Sequence, residues 1–61
     1  MQAHLLRINM GNILFEQQKY PSAIKMYCMA LDQVPLTSRS VRNRILRNIG
    51  VAFMKVGQYQ V

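Results

Sequence analysis

The residues of this 61-residue chain best able to do covalent or metal chemistry are two acids, one histidine and one cysteine, and their spacing tells against both. Glu16 and Asp32 fall on separate helical segments, whereas acid–base work needs its groups gathered on one reacting atom. Cys28 and His4 also fall on separate elements, so no thiolate–imidazole pair lies within helical reach. One cysteine with one histidine cannot complete a four-ligand zinc site or an internal disulfide. Cys28 reads instead as a small core or interface hydrophobe, and His4 as a solvent-exposed residue near the start. The glycines in NMGN and NIGV stand singly inside helical pattern, unlike a phosphate-cradling loop. The expectation is a non-enzymatic chain with no cofactor and no metal.

What remains is basic. The net charge is +6, and Arg39, Arg42, Arg44, Arg47 and Lys55 all follow residue 35, where there is no acid. Such a run can meet nucleic acid, an anionic membrane surface or an acidic protein surface, or it can be a solvated helix face. No aromatic residues interleave the arginines as a single-strand binder would require, so no specific nucleic-acid partner is expected. The longest apolar run is Met26–Leu31, far short of the roughly 20 residues that span a bilayer. The opening MQAHLLRINMGN lacks the pattern of a secretory signal, and a reducing, cytoplasmic setting is the expectation.

The elements that carry these residues have helical period throughout, which predicts an all-α fold. Leu6, Met10 and Leu14, with Ile13 beside them, form an apolar stripe on a first helix over about residues 3–17. Pro21 suits the first turn of a second helix, over about 21–33, which must stop before Pro35 because the residue preceding a proline leaves the α region. Thr37, Ser38 or Ser40 can cap a third helix over about 38–56, with a core stripe of Ile45, Ile49, Ala52, Phe53 and Val56 and with Gly57 as its end. Arg39 and Arg42 sit near the positive end of its dipole, where acids are favoured. Half of the residues are apolar, more than so short a chain can bury, which suggests a piece of something longer.

The chain also repeats itself. Aligning Asn9-Met10-Gly11 with Asn48-Ile49-Gly50, an offset of 39 residues, brings Tyr20 onto Tyr59. In YPSAIKMYCMALDQVP the small residues Ala23 and Ala30, the ring of Tyr27 and the closing Pro35 complete a pattern that resembles the tetratricopeptide repeat (TPR), a helical hairpin of 34 residues. With Gly11 in the repeat's conserved small position, Leu14, Tyr20, Ala23, Tyr27, Ala30 and Pro35 all fall where the family accepts their types. In a second unit Leu46, Ile49, Gly50, Phe53, Gly57 and Tyr59 do the same. The chain departs from the family in its longer offset, which lengthens the third helix, and in Arg7, which stands where a large apolar residue is favoured. The resemblance implies antiparallel hairpins of a solenoid, about one and a half repeats: a first over 4–35 and a truncated second over 43–61, the whole of 1–61 being a fragment of one array. Gly11 and Ala23 would let the hairpin's helices approach to about 8–10 Å, Ala30 would receive the next repeat's helix, and Tyr27 would fill the space beside it.

A narrower resemblance runs through the NMGNI, ALDQVP and RNIGVAF…GQY blocks and the long basic helix between them. These look like the large polaris-type TPR subunits of intraflagellar transport complex B. That resemblance implies a non-catalytic scaffold binding other transport subunits at the cilium or flagellum and its base. In TPR arrays the first helix of each hairpin lines the concave face, which here implies Leu5, Ile8, Asn12, Phe15 and Glu16, then Arg44, Arg47, Val51, Met54 and Lys55. The alternative is a co-chaperone or adaptor gripping an acidic peptide tail, with Asn12 and Asn48 matching clamp asparagines, although Ile8 stands where that clamp has a lysine.

Overall fold

The computed structural model describes residues 3–59. Three helices account for most of them: α1 (Ala3–Glu16), α2 (Tyr20–Gln33) and α3 (Arg39–Tyr59). No strand occurs among the described residues. α1 packs on α2 and α2 on α3. Contacts Arg7 to Gln33 and Met29, Asn12 to Tyr27 and Phe15 to Tyr20 run in opposite directions along the chain, so α1 and α2 form an antiparallel hairpin. The described helices span 38 × 19 × 13 Å. α2 lies between the other two helices and is the one flanked on both sides.

Each chain reversal has a local cause. α1 ends in a Schellman turn: Gln18 takes φ 64, its N–H donates to the Phe15 carbonyl at 2.9 Å, and the Lys19 N–H donates to the Leu14 carbonyl at 2.9 Å. These bonds satisfy end carbonyls and offset the roughly 1–2 kcal/mol that a side-chain-bearing residue costs in the left-handed region. Pro21 lies in the first turn of α2. Val34, forced out of helix by Pro35, is extended at φ −85 and ψ 129. Of the three candidate caps, Ser38 precedes α3, and its carbonyl accepts the Arg42 N–H at 3.0 Å.

The core lies along α2. Ala23, Tyr27, Ala30 and Val34 form one buried cluster with Ile45 of α3, and Ile8, Leu14, Phe15, Leu31, Val41 and Ile49 pack around it. Tyr27 and Ile45 are the largest fully buried side chains.

Several expectations are corrected. On α1 the stripe facing α2 is His4, Ile8, Gly11 and Phe15, while Leu6, Met10 and Ile13 point away, Leu6 and Ile13 more than half exposed. The helix has apolar residues on both sides, so periodicity alone could not choose the buried one. His4, expected in solvent, is 7% exposed, and no buried side-chain nitrogen or oxygen among the described residues lacks a partner. On α3, Ile45 and Ala52 are fully buried, but Phe53 is 59% exposed because no helix covers its side. Gly57 does not end α3, which continues to Tyr59. Cys28 is exposed rather than in the core.

Candidate functional site

Gly11 and Tyr27 determine how closely α1 and α2 meet. A Cβ added to Gly11 would stand 2.6 Å from Tyr27 Cε1 and 2.8 Å from Cδ1, so the phenol ring lies directly against the glycine backbone. One residue further along α1, the Asn12 Oδ1 accepts a hydrogen bond of 2.6 Å from the Tyr27 hydroxyl. This bond fixes the ring and turns the asparagine amide toward the space between α1 and α3. Phe15 closes that end of the hairpin by meeting the Tyr20 ring edge-on, with centroids 5.1 Å apart.

The result is a concavity of about 250 Å³ lined by Asn12, Phe15, Glu16, Tyr27, Asn48 and Val51. α1 supplies one wall, α3 the other, and Tyr27 of α2 the floor. Phe15, Val51 and the tyrosine ring are apolar, while the two asparagine amides can donate and accept, and the Glu16 carboxylate accepts. Such a set suits peptide backbone and mixed side chains rather than bond-making chemistry. Burial raises the Tyr27 phenol above its ordinary pKa, and the negative charge of Glu16 adds to the rise. The phenol therefore stays a donor throughout the neutral range.

Of the residues expected to line the groove, the structure brings Asn12, Phe15, Glu16, Asn48 and Val51 together. Leu5, Arg44, Arg47 and Met54 are exposed, Ile8 and Lys55 are half-buried, and none of these lines the concavity. Tyr27 has a polar role beside the packing role its position implies. Its hydroxyl faces Asn12 fifteen residues away, and only the hairpin register joins the two. Arg7, out of place for the repeat pattern, donates from Nε to Gln33 Oε1 at 3.1 Å and from Nη1 to Met29 Sδ at 3.7 Å, tying α1 to the end of α2.

The packing residues divide into two groups. Gly11, Tyr20, Ala23, Tyr27 and Ala30 are buried, and Leu14 and Ile49 are half-buried. Pro35 and Phe53 are exposed, Gly50 has nothing within 4 Å of where its Cβ would be, and the Tyr59 side chain lies outside the described residues. The arginines do not form one stripe. At about 100° per residue, Arg39 and Arg42 lie on one side of α3 and Arg44 and Arg47 on the other. Among the described residues no group of three or more His, Cys, Asp or Glu could hold a metal ion, and no helix is long and apolar enough to cross a membrane.

No protein-family model matches the chain, and neither does any solved structure. A known protein does: the chain is 53% identical over 57 residues to the Intraflagellar transport protein 88 homolog of Homo sapiens. The similarity covers 93% of this chain and 7% of that protein. The chain thus spans a small fraction of its relative's length.

Proposed function

We propose that the chain is a segment of a non-catalytic, TPR-type helical scaffold serving intraflagellar transport, whose partners are other protein subunits of the transport particle. The observation that carries this reading is the 53% identity, sustained over 93% of the chain, to a protein named for intraflagellar transport. The α1–α2 hairpin with α3 packed on α2 is in keeping with it, since stacked hairpins bury a continuous core between neighbours and leave a long groove for a peptide or helix. The cytoplasm, and the cilium or flagellum with its base, are the corresponding location.

The test is a segment exchange. In ciliated cells lacking their own Intraflagellar transport protein 88 homolog, the human protein is supplied with its matching segment replaced by this chain. The expected result is cofractionation with the transport particle and entry into the cilium at the level of the unaltered human protein. A chimaera of normal abundance that stays out of the particle refutes the reading.

A further inference from the structure

The first turns of α3 carry charge that nothing else among the described residues answers. Two arginines are half-buried, Arg7 and Arg42. Arg7 donates to Gln33 and Met29, whereas Arg42, and the exposed Arg39 near it, have no side-chain hydrogen bond or ion pair among the described residues. A guanidinium partly withdrawn from water needs an acceptor to replace the lost hydration, and no acid follows Asp32 in the sequence to supply one. Immediately before α3, the Ser38 N–H donates to the Pro35 carbonyl at 3.0 Å, and the turn so closed carries Leu36. At 80%, Leu36 is the most exposed large apolar residue among those described.

We propose that Leu36, Arg39 and Arg42 form a docking surface for an acidic protein segment, whose carboxylates pair with the two guanidiniums while an apolar side chain lies on Leu36. The surface is separate from the concavity: at about 100° per residue, Arg39 and Arg42 stand at least about 120° around α3 from Asn48 and Val51. A partner here leaves the space between α1 and α3 open. The choice of cation favours carboxylates. Arg39, Arg42, Arg44 and Arg47 are all arginines, while the three lysines lie elsewhere at 19, 25 and 55, and the planar guanidinium fork takes a carboxylate through two parallel N–H bonds. Carboxylates placed there also meet the positive end of the α3 dipole, whose first turn holds no acid of its own. Nucleic acid and membrane fit less well. No aromatic residue falls between Pro35 and Arg47 for a base to stack on, and one leucine offers a bilayer little apolar area.

The test is fluorescence anisotropy of the whole chain with a labelled acidic peptide, EELEDLEEL, and with its neutral counterpart QQLQNLQQL. The acidic peptide is expected to bind about tenfold more tightly than the neutral one. Arg39→Gln with Arg42→Gln should weaken acidic-peptide binding about tenfold, and Leu36→Ser about fivefold. Arg44→Gln with Arg47→Gln removes the same charge from the other side of α3 and should weaken binding by less than about twofold. Each variant should keep the helix signal of the unaltered chain in circular dichroism. If the acidic peptide does not bind, if the neutral peptide binds as well, or if the two double variants act alike, the inference fails. It fails also if vesicles of equimolar phosphatidylserine and phosphatidylcholine, or a single-stranded RNA, bind more tightly than the peptide and lose as much from Arg39→Gln with Arg42→Gln. Any of these outcomes leaves the segment exchange to stand or fall on its own.

Discussion

Replacing Gly11 by alanine sets two known effects against each other. In an open helix the change gains about 1 kcal/mol, because alanine loses less backbone entropy than glycine. Here the new methyl would lie 2.6 Å from Tyr27 Cε1, 2.8 Å from Cδ1 and 3.1 Å from Cζ, so the ring must move. It is 2% exposed and tied through its hydroxyl to Asn12, so a shift spoils both packing and hydrogen bond. Overpacking costs roughly 1–3 kcal/mol, and the strained hydrogen bond adds about 0.5–1.5 kcal/mol. Gly11→Ala should therefore destabilise the chain by about 1–3 kcal/mol. Gly50→Ala is the internal control: nothing stands within 4 Å of its Cβ position, and only the helical gain of about 1 kcal/mol remains. Urea titrations followed by far-ultraviolet circular dichroism read both variants, and the two sites should separate by at least about 2 kcal/mol. Equal shifts at the two glycines, or a more stable Gly11→Ala, would refute the close approach of ring and backbone.

Further outcomes follow from the same contacts. Tyr27→Phe should lower stability by about 0.5–1.5 kcal/mol in the same titration, because only the hydrogen bond to Asn12 is lost. Ile45→Ala, at a fully buried position, should cost about 2–5 kcal/mol and leave little cooperative helix signal on heating. The Tyr27 phenol, raised by burial and by Glu16, should ionise above the ordinary tyrosine value in a base titration followed by phenolate absorbance, with the step that Tyr27→Phe removes identifying it. Since its folded pKa lies above its unfolded one, its contribution is complete below the unfolded value of about 10 and is lost as pH rises through the folded value. With Leu6, Ile13, Leu46 and Phe53 exposed, the isolated chain should melt broadly and self-associate. A sharp monomeric transition by calorimetry and sedimentation would contradict this.

The three helices were legible because their stops are local. Pro35 dictates the extended Val34 whatever surrounds it, and the polar EQQK stretch marks where α1 ends. Which face of a helix is buried was legible only where one face alone is apolar along most of its length. On α3 this gave Ile45, Ile49 and Ala52 but also took in Phe53, which no described helix covers. On α1 the longer apolar stripe belongs to the side that α2 does not cover, so Leu6 and Met10 drew attention away from His4, Ile8 and Gly11. The floor of the concavity was harder still to find. Asn12 and Tyr27 have unremarkable types and a separation that fits no single-helix period, so only the hairpin register joins them.

The Tyr27 ring on Gly11 has a geometric effect beyond holding two helices together. It acts as a shim: its thickness fixes the gap between α1 and α2 at one point along helices about 21 Å long. With the Ala3 end of α1 held, widening that gap by about 1 Å at Gly11, about 12 Å along the helix, tilts one helix against the other by about 5°. In a solenoid, curvature accumulates from small rotations at each unit, so the tilt would be carried to everything beyond it. In a long array, a single methyl group at residue 11 would thus alter where the far end points.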